Sequence, residues 1–201
     1  MKKGYLWLII FNLLYVIGFT IYYASIGNYE FLIYIAVLVA IGLIVLTTLK
    51  SSKLDNFALW GLSIWGFLHM VGGGVQIAGQ VVYRLKLINI IDKGGDFFIL
   101  KMDQVIHFYG FLVVAIVVYQ LMTTFFSNVK TAPKMAVFLA WIGSMGLGAL
   151  NEVIEFIAFV ALAETGVGDL YNTGLDLVFN MAGAFVGALI QHRRFKKRAI
   201  V

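Results

Sequence analysis

Apolar positions run along this chain in unbroken blocks of about twenty residues, each long enough to cross roughly 30 Å of bilayer hydrocarbon as a helix. Six such blocks occur, over residues 5–26, 29–49, 57–82, 102–126, 134–163 and 171–191. The pattern predicts an all-α fold: a polytopic membrane helix bundle of six transmembrane helices, with residues 1–201 forming a single integral membrane domain. Pro133, the sole proline, stands just before the fifth block, where the first turn of a helix has no use for its missing N–H. The block after Met1-Lys2-Lys3 is longer than a signal-peptide core and lacks a small-residue cleavage site, so it reads as an uncleaved span. Between Tyr83 and Lys101 two short apolar runs flank Gly94-Gly95, which fits a loop snorkelling its basic residues, an outer-face hairpin or an interfacial flap.

Composition strengthens this reading. The chain is 62% hydrophobic and 12% charged, with mean hydropathy +0.94, and a soluble chain of this size has no interior large enough to hide six apolar blocks. The absence of cysteine excludes disulfides, zinc-thiolate sites, iron–sulfur clusters and a cysteine nucleophile. A net charge of +5 does not imply nucleic acid, because the basic residues flank the spans. Lys2, Lys3, Lys50, Lys53, Lys130, Lys134, Arg193, Arg194, Lys196, Lys197 and Arg198 fall on one side, and Arg84, Lys86, Lys93 and Lys101 on the other. Positive flanks stay inside during insertion, so the expectation is a multi-pass protein of the cell membrane with both termini cytoplasmic.

Ionisable side chains inside a span are expensive unless they are paired or face water. Here they are numerous, and they recur at helical spacing beside small residues, on the faces where helices approach closely in lipid. His69, Gly72, Gly73, Gln76 and Gln80 make a stripe on the third block; Asp103, His107 and Gly110 on the fourth; Ser144, Gly148, Glu152 and Glu155 on the fifth; Asp176, Asn180, Gly183 and Gly187 on the sixth. The stripes predict a four-helix polar-lined core, with the first two spans peripheral. At about 1.5 Å per residue, Asp103, His107 and Asp176 lie within roughly 10 Å of the outer surface, Asn180, Glu155 and Glu152 at roughly 12–17 Å, and His69 deepest at roughly 20 Å.

Asp103, Glu152, Glu155 and Asp176 are four carboxylates with no Lys or Arg among them, apart from Lys101 and Arg84 at the rim. They cannot all stay charged in a low dielectric without protonation or a bound cation. Mixed oxygen and nitrogen ligands suit a divalent metal such as Zn, Mn or Fe better than Ca or Mg. The expected ligands are Asp103, His107, Glu152 and Asp176, with Glu155 as general base and Asn180 and His69 supporting them. Glu164, Asp169 and the basic tail read as solvated flanks, Gly72 to Gly74 as close helix approach or local unwinding, Gly183-x-x-x-Gly187 as packing, and the aromatics as lipid-facing.

The run Asp103-Gln-Val-Ile-His107-Phe, then Asn151-Glu152-Val-Ile-Glu155-Phe, then Asp176-Leu-Val-Phe-Asn180-Met-Ala-Gly resembles the VanZ-like membrane proteins and their YjdF-like relatives over roughly residues 100–190. It departs from the VanZ pattern at Glu155, where glutamine is usual, and at Asn172 and Thr173, where an arginine is expected; these departures place it nearer the YjdF-like branch. The resemblance implies a cell-envelope setting, since VanZ-like proteins are associated with resistance to glycopeptides acting at the cell surface. Three functions fit the residues: an enzyme acting on a membrane lipid or lipid-linked substrate of the outer leaflet, a proton- or cation-coupled small-molecule carrier, and a structural interhelical network. The nearly pure apolar inner halves of the last three spans favour a one-sided site.

Overall fold

The computed structural model describes residues 3–94, 97–126, 129, 131–162, 166 and 168–199. Lys2, Gly95, Lys130, residue 163 and Glu164, used in the sequence argument, lie outside the described residues. Six helices form: α1 (Lys3–Ser25), α2 (Tyr29–Ser52), α3 (Asn56–Gly74), α4 (Met102–Phe125), α5 (Pro133–Ala161) and α6 (Leu170–Ala199). All six are long and apolar enough to cross a membrane, and an even number of crossings leaves both chain ends on one side. That side is called here the terminal end, and the opposite one the hairpin end.

Polar caps start α2 and α3. Asn28 accepts from the Phe31 N–H at 3.1 Å to open α2, and Asp55 accepts from the Ala58 N–H at 3.0 Å to open α3. Pro133 is the first residue of α5. Helix α6 runs past the expected 191 into the basic tail, because its last turns no longer need apolar residues once they leave the hydrocarbon.

The third span is shorter than its apolar run suggests. Helix α3 stops at Gly74, and the residues after it form the short antiparallel pair β1 (Gln76–Ile77) and β2 (Gln80–Val81). Three glycines make this stop: a Cβ on Gly72 would run into the Tyr83 ring, on Gly73 into Phe31, and on Gly74 into Tyr23. Rings packed this closely against bare backbone hold the helix end in place, and Ala78 and Gly79 turn the chain at φ of 53° and 80°. Gln76 and Gln80 are exposed strand residues and do not extend the His69 stripe.

Beyond them β3 (Lys86–Gly94) and β4 (Phe97–Lys101) pair antiparallel as a hairpin, one of the expected alternatives for this stretch. Phe98 is buried, and its carbonyl accepts from the fully buried Gln104 amide at 2.9 Å, which joins the hairpin to the first turn of α4.

Helix α6 packs along α4 and α5, α4 also meets α5 and α3, and α1 and α2 pack on the α3 side. In lipid, close approach of backbones replaces the hydrophobic effect as the source of helix association. Gly183 and Gly187 meet this demand inside the molecule, since a Cβ on either would strike a backbone carbonyl of α4, that of Phe108 or Leu112.

Two apolar clusters result. Phe111, Ala115, Tyr119, Ala140, Ala184 and Ala188 fill the terminal half of α4, α5 and α6. Tyr15, Tyr23, Phe31, Tyr34 and Met70, with Ala158, fill the space between α1, α2, α3 and the end of α5. The second cluster corrects the reading of the aromatics, because Tyr23 is fully buried and stacks on Phe31 with centroids 4.9 Å apart.

At the terminal end Arg194 is not a solvated flank. Its Nη2 pairs with Asp55 Oδ2 at 2.9 Å, its guanidinium lies 4.0 Å from the Phe57 ring centroid, and Gln120 donates to Asp55 Oδ1 at 3.0 Å. One carboxylate therefore joins α3, α4 and α6. Asp169 also has a structural use, as its side chain accepts from the Asn172 N–H at 2.9 Å at the start of α6.

Candidate carboxylate and histidine site

The polar stripes of α4, α5 and α6 meet. His107, buried on α4, is the centre: its Nδ1 lies 3.1 Å from Asn180 Oδ1 on α6 and 3.7 Å from Glu152 Oε1 on α5, while its Nε2 lies 3.5 Å from Asp103 Oδ1 one turn earlier. Two groups of three could each hold a cation, Asp103 with His107 and Asp176, and His107 with Glu152 and Glu155; within each group the ligand atoms lie within 4.8 Å of one another. His107 belongs to both groups.

Small residues allow this convergence. Gly148 on α5 faces the Asn180 side chain, which a Cβ would approach to 3.1 Å, and Gly183 brings the α6 backbone onto α4 one turn beyond Asn180. At about 1.5 Å per residue from the hairpin end of each helix, His107, Glu155 and Asp176 all lie about 8–9 Å deep, and Glu152 and Asn180 about 14–15 Å deep.

His69 is also shallower than its apolar run implies. Because α3 ends at Gly74, His69 is about 8 Å from that end and not at the bottom of the site. It belongs to neither of the two groups. Its Nδ1 is hydrogen-bonded to the Tyr83 hydroxyl, and its ring packs among those of Phe31, Tyr34 and Tyr83. Burial pushes the Tyr83 phenol well above its ordinary range, so it stays protonated at neutral pH.

Several residues of the site are ones the spacing did not single out. Asn172 accepts from Lys101 Nζ at 3.0 Å and directs its amide to Asp176 Oδ2 at 2.6 Å and to Asp103 Oδ2 at 3.2 Å. Asn151 donates to Glu155 Oε1 at 2.8 Å. Outside the cluster, Glu30, buried at the start of α2, accepts from the Tyr34 hydroxyl at 3.1 Å and from the Gly166 N–H at 2.6 Å. Asn172 and Asn151 each stand four residues before the carboxylate they contact, and that spacing was available as a signal. Glu30 offered none, since an acid in the first turn of a helix is ordinary.

The network is not saturated. Glu152 Oε1, Asp176 Oδ1 and Asn180 Nδ2 are buried without a hydrogen-bond partner among the described residues, and Asp176 is 1% exposed. A buried carboxylate oxygen without a donor is costly, so acceptors left open on Asp176 and Glu152 suit a cation or a donor brought by a ligand. Below the cluster the apolar side chains of α4, α5 and α6 close the bundle.

Compared with known proteins, residues 5–197 match the sequence model of one family, described as "Predicted membrane protein (DUF2238)". No curated protein and no solved structure matches the chain.

Proposed function

Given that the chain belongs to the DUF2238 family of predicted membrane proteins, we propose that it is a metal-dependent membrane enzyme whose carboxylate and histidine site opens to the outer half of the bilayer and acts on an outer-leaflet lipid or lipid-linked envelope substrate. The observation that carries this reading is the sharing of His107 by two carboxylate pairs, with buried acceptor oxygens left open on Asp176 and Glu152.

The imidazole geometry favours one of the two groups. With Nδ1–H donating to Asn180 Oδ1, the lone pair of Nε2 points to the Asp103 side, the usual arrangement in which a carbonyl-type partner fixes the tautomer of a metal-binding histidine. Asp103, His107 and Asp176 then hold the ion, with Asn172 orienting both carboxylates. Such an ion supplies a Lewis acid and a polarised water. Glu152 and Glu155 flank the other edge of the ring and take the proton-transfer roles, Glu155 as general base. The donor set of two carboxylates and one imidazole suits Zn, Mn or Fe. Glu152, a ligand in the sequence reading, ligates only if the tautomer reverses.

The lysine and arginine count supports the outward orientation, and the VanZ-like resemblance supports the envelope setting. A carrier needs polar groups along the whole path, whereas the terminal half of α4, α5 and α6 is packed with alanine and aromatic side chains. Elemental analysis of the purified protein beside His107→Ala and Asp176→Asn variants tests the proposal. One ion per chain, lost in both variants at normal folded yield, is the expected result. Absence of metal from the parent with normally folded variants removes the metal and leaves proton chemistry, and misfolding of both conservative and non-conservative variants favours a structural network.

A further inference from the structure

Beside the cluster lies a cavity of about 310 Å³ bounded by α1, α2, α3 and α5. Its walls are almost wholly apolar, with Val37, Gly42 and Leu46 on α2 and Leu59 and Leu62 on α3 among them. His69, Asn151 and Glu155 line it at its hairpin end, and Asn12 and Ser63, hydrogen-bonded to each other at 2.8 Å, line it farther from that end. Glu155 thus belongs both to this cavity and to the group it forms with His107 and Glu152.

The shape restricts what can occupy it. From Tyr34 to Leu46 along α2 the cavity extends about 18 Å at 1.5 Å per residue, close to one leaflet of a hydrocarbon core about 30 Å thick. A helix with its side chains is about 10 Å across, so a helix of a second copy or a partner span would lie over the groove, whereas a single acyl chain can enter it lengthwise. Toward the hairpin end Tyr23, Phe31 and Tyr34 pack with Ala158 and close the groove from that side. Its open flank runs past Leu13, Ile41 and Leu43, which face the lipid.

We infer that this groove receives one acyl chain of a membrane glycerophospholipid, entering sideways from the bilayer and bringing its polar end to Asn151 and Glu155. The inference deepens the proposed function, on which it rests for the chemistry at the polar end. The ligand is an amphiphile with a single chain engaged, about a leaflet long, and it reaches the site without passing through water.

The test uses the full chain in vesicles of phosphatidylethanolamine and phosphatidylglycerol doped with a phosphatidylglycerol that carries a diazirine midway along one acyl chain. After irradiation, adducts are mapped by peptide mass spectrometry. Adducts on residues 37–46 and 59–66 are expected to exceed those on the lipid-facing surface of α5 around Phe138 and Ile142 at least fivefold. Gly42→Trp fills the groove where a Cβ meets nothing within 4 Å, and Gly18→Trp adds the same ring at an equally open position outside it. The first variant should lower the groove adducts fivefold or more and the second leave them unchanged; Gly42→Leu gives an intermediate loss should the larger ring impair folding. Even labelling of all lipid-facing helices, insensitivity to Gly42→Trp, or protein–protein cross-links at α2 in place of lipid adducts would overturn the inference. Metal content measured on the same samples separates the two claims. Groove labelling without metal leaves this inference standing and removes the metal, and metal with even labelling does the reverse.

Discussion

At position 172 a single amide is bonded to a lysine and to two carboxylates at once, and each of the three would otherwise have to meet its charge another way. A neutral bridge of this kind fixes the orientation of Asp103 and Asp176 beside His107, while Lys101 supplies positive charge from the rim. Asn172→Leu should remove all three bonds and lower stability by about 0.6–2 kcal/mol, the range for side-chain hydrogen bonds between helices in membranes. Thermal unfolding in detergent measures this, and metal content should fall in parallel because both carboxylates lose their orientation. The position was legible as four residues before Asp176, but a lone asparagine at a span boundary has many uses, and its connection to Lys101 spans 71 residues of sequence. Spacing along one helix identifies which residues share a face; it does not identify which residue of another element reaches across to them.

Among the helices, glycine separates into two kinds that the sequence alone does not distinguish. Gly183 and Gly187 face backbone carbonyls of α4, whereas a Cβ on Gly146 meets nothing within 4 Å. Gly183→Val should force α4 and α6 apart, at a cost of about 1–3 kcal/mol or more because a backbone atom cannot move aside as a side chain can. Gly146→Ala should be neutral, or stabilising by up to about 1 kcal/mol through helix propensity. Unfolding midpoints of the two variants in the same detergent give the comparison.

The spans themselves were legible because apolar length is set by bilayer thickness, and the α4, α5 and α6 stripes because helical period is fixed. The end of α3 was not, since Val75, Val81 and Val82 continue its apolar run and hydropathy does not register where three glycines let aromatic rings in. That misreading placed His69 too deep and added Gln76 and Gln80 to its stripe. For the same reason the hairpin was one of three readings: its strand residues are apolar and basic together, as those of a snorkelling loop or an interfacial flap would be.

For the whole molecule, six crossings put the hairpin at one end of the bundle and both chain ends at the other. The natural absence of cysteine makes orientation directly measurable. A cysteine at Gly94 should react with a membrane-impermeant maleimide added to intact cells, and one at Lys50 only after permeabilisation. The opposite pattern would turn the site toward the cytoplasm and withdraw the outer-leaflet substrate, while the geometry of the cluster would stand.

The pairing of Arg194 with Asp55 joins residues 139 positions apart. Chain synthesis releases Asp55, which caps α3, long before Arg194, so this joint can close only after α6 has been made. The same holds for the site, because Asp176 and Asn180 arrive with the last helix. Until then His107 and Glu152 sit in a partly built bundle without their α6 partners. A nascent chain of this kind carries half of its polar cluster unanswered in lipid until α6 inserts, and that insertion completes both the cluster and the joint at the opposite end.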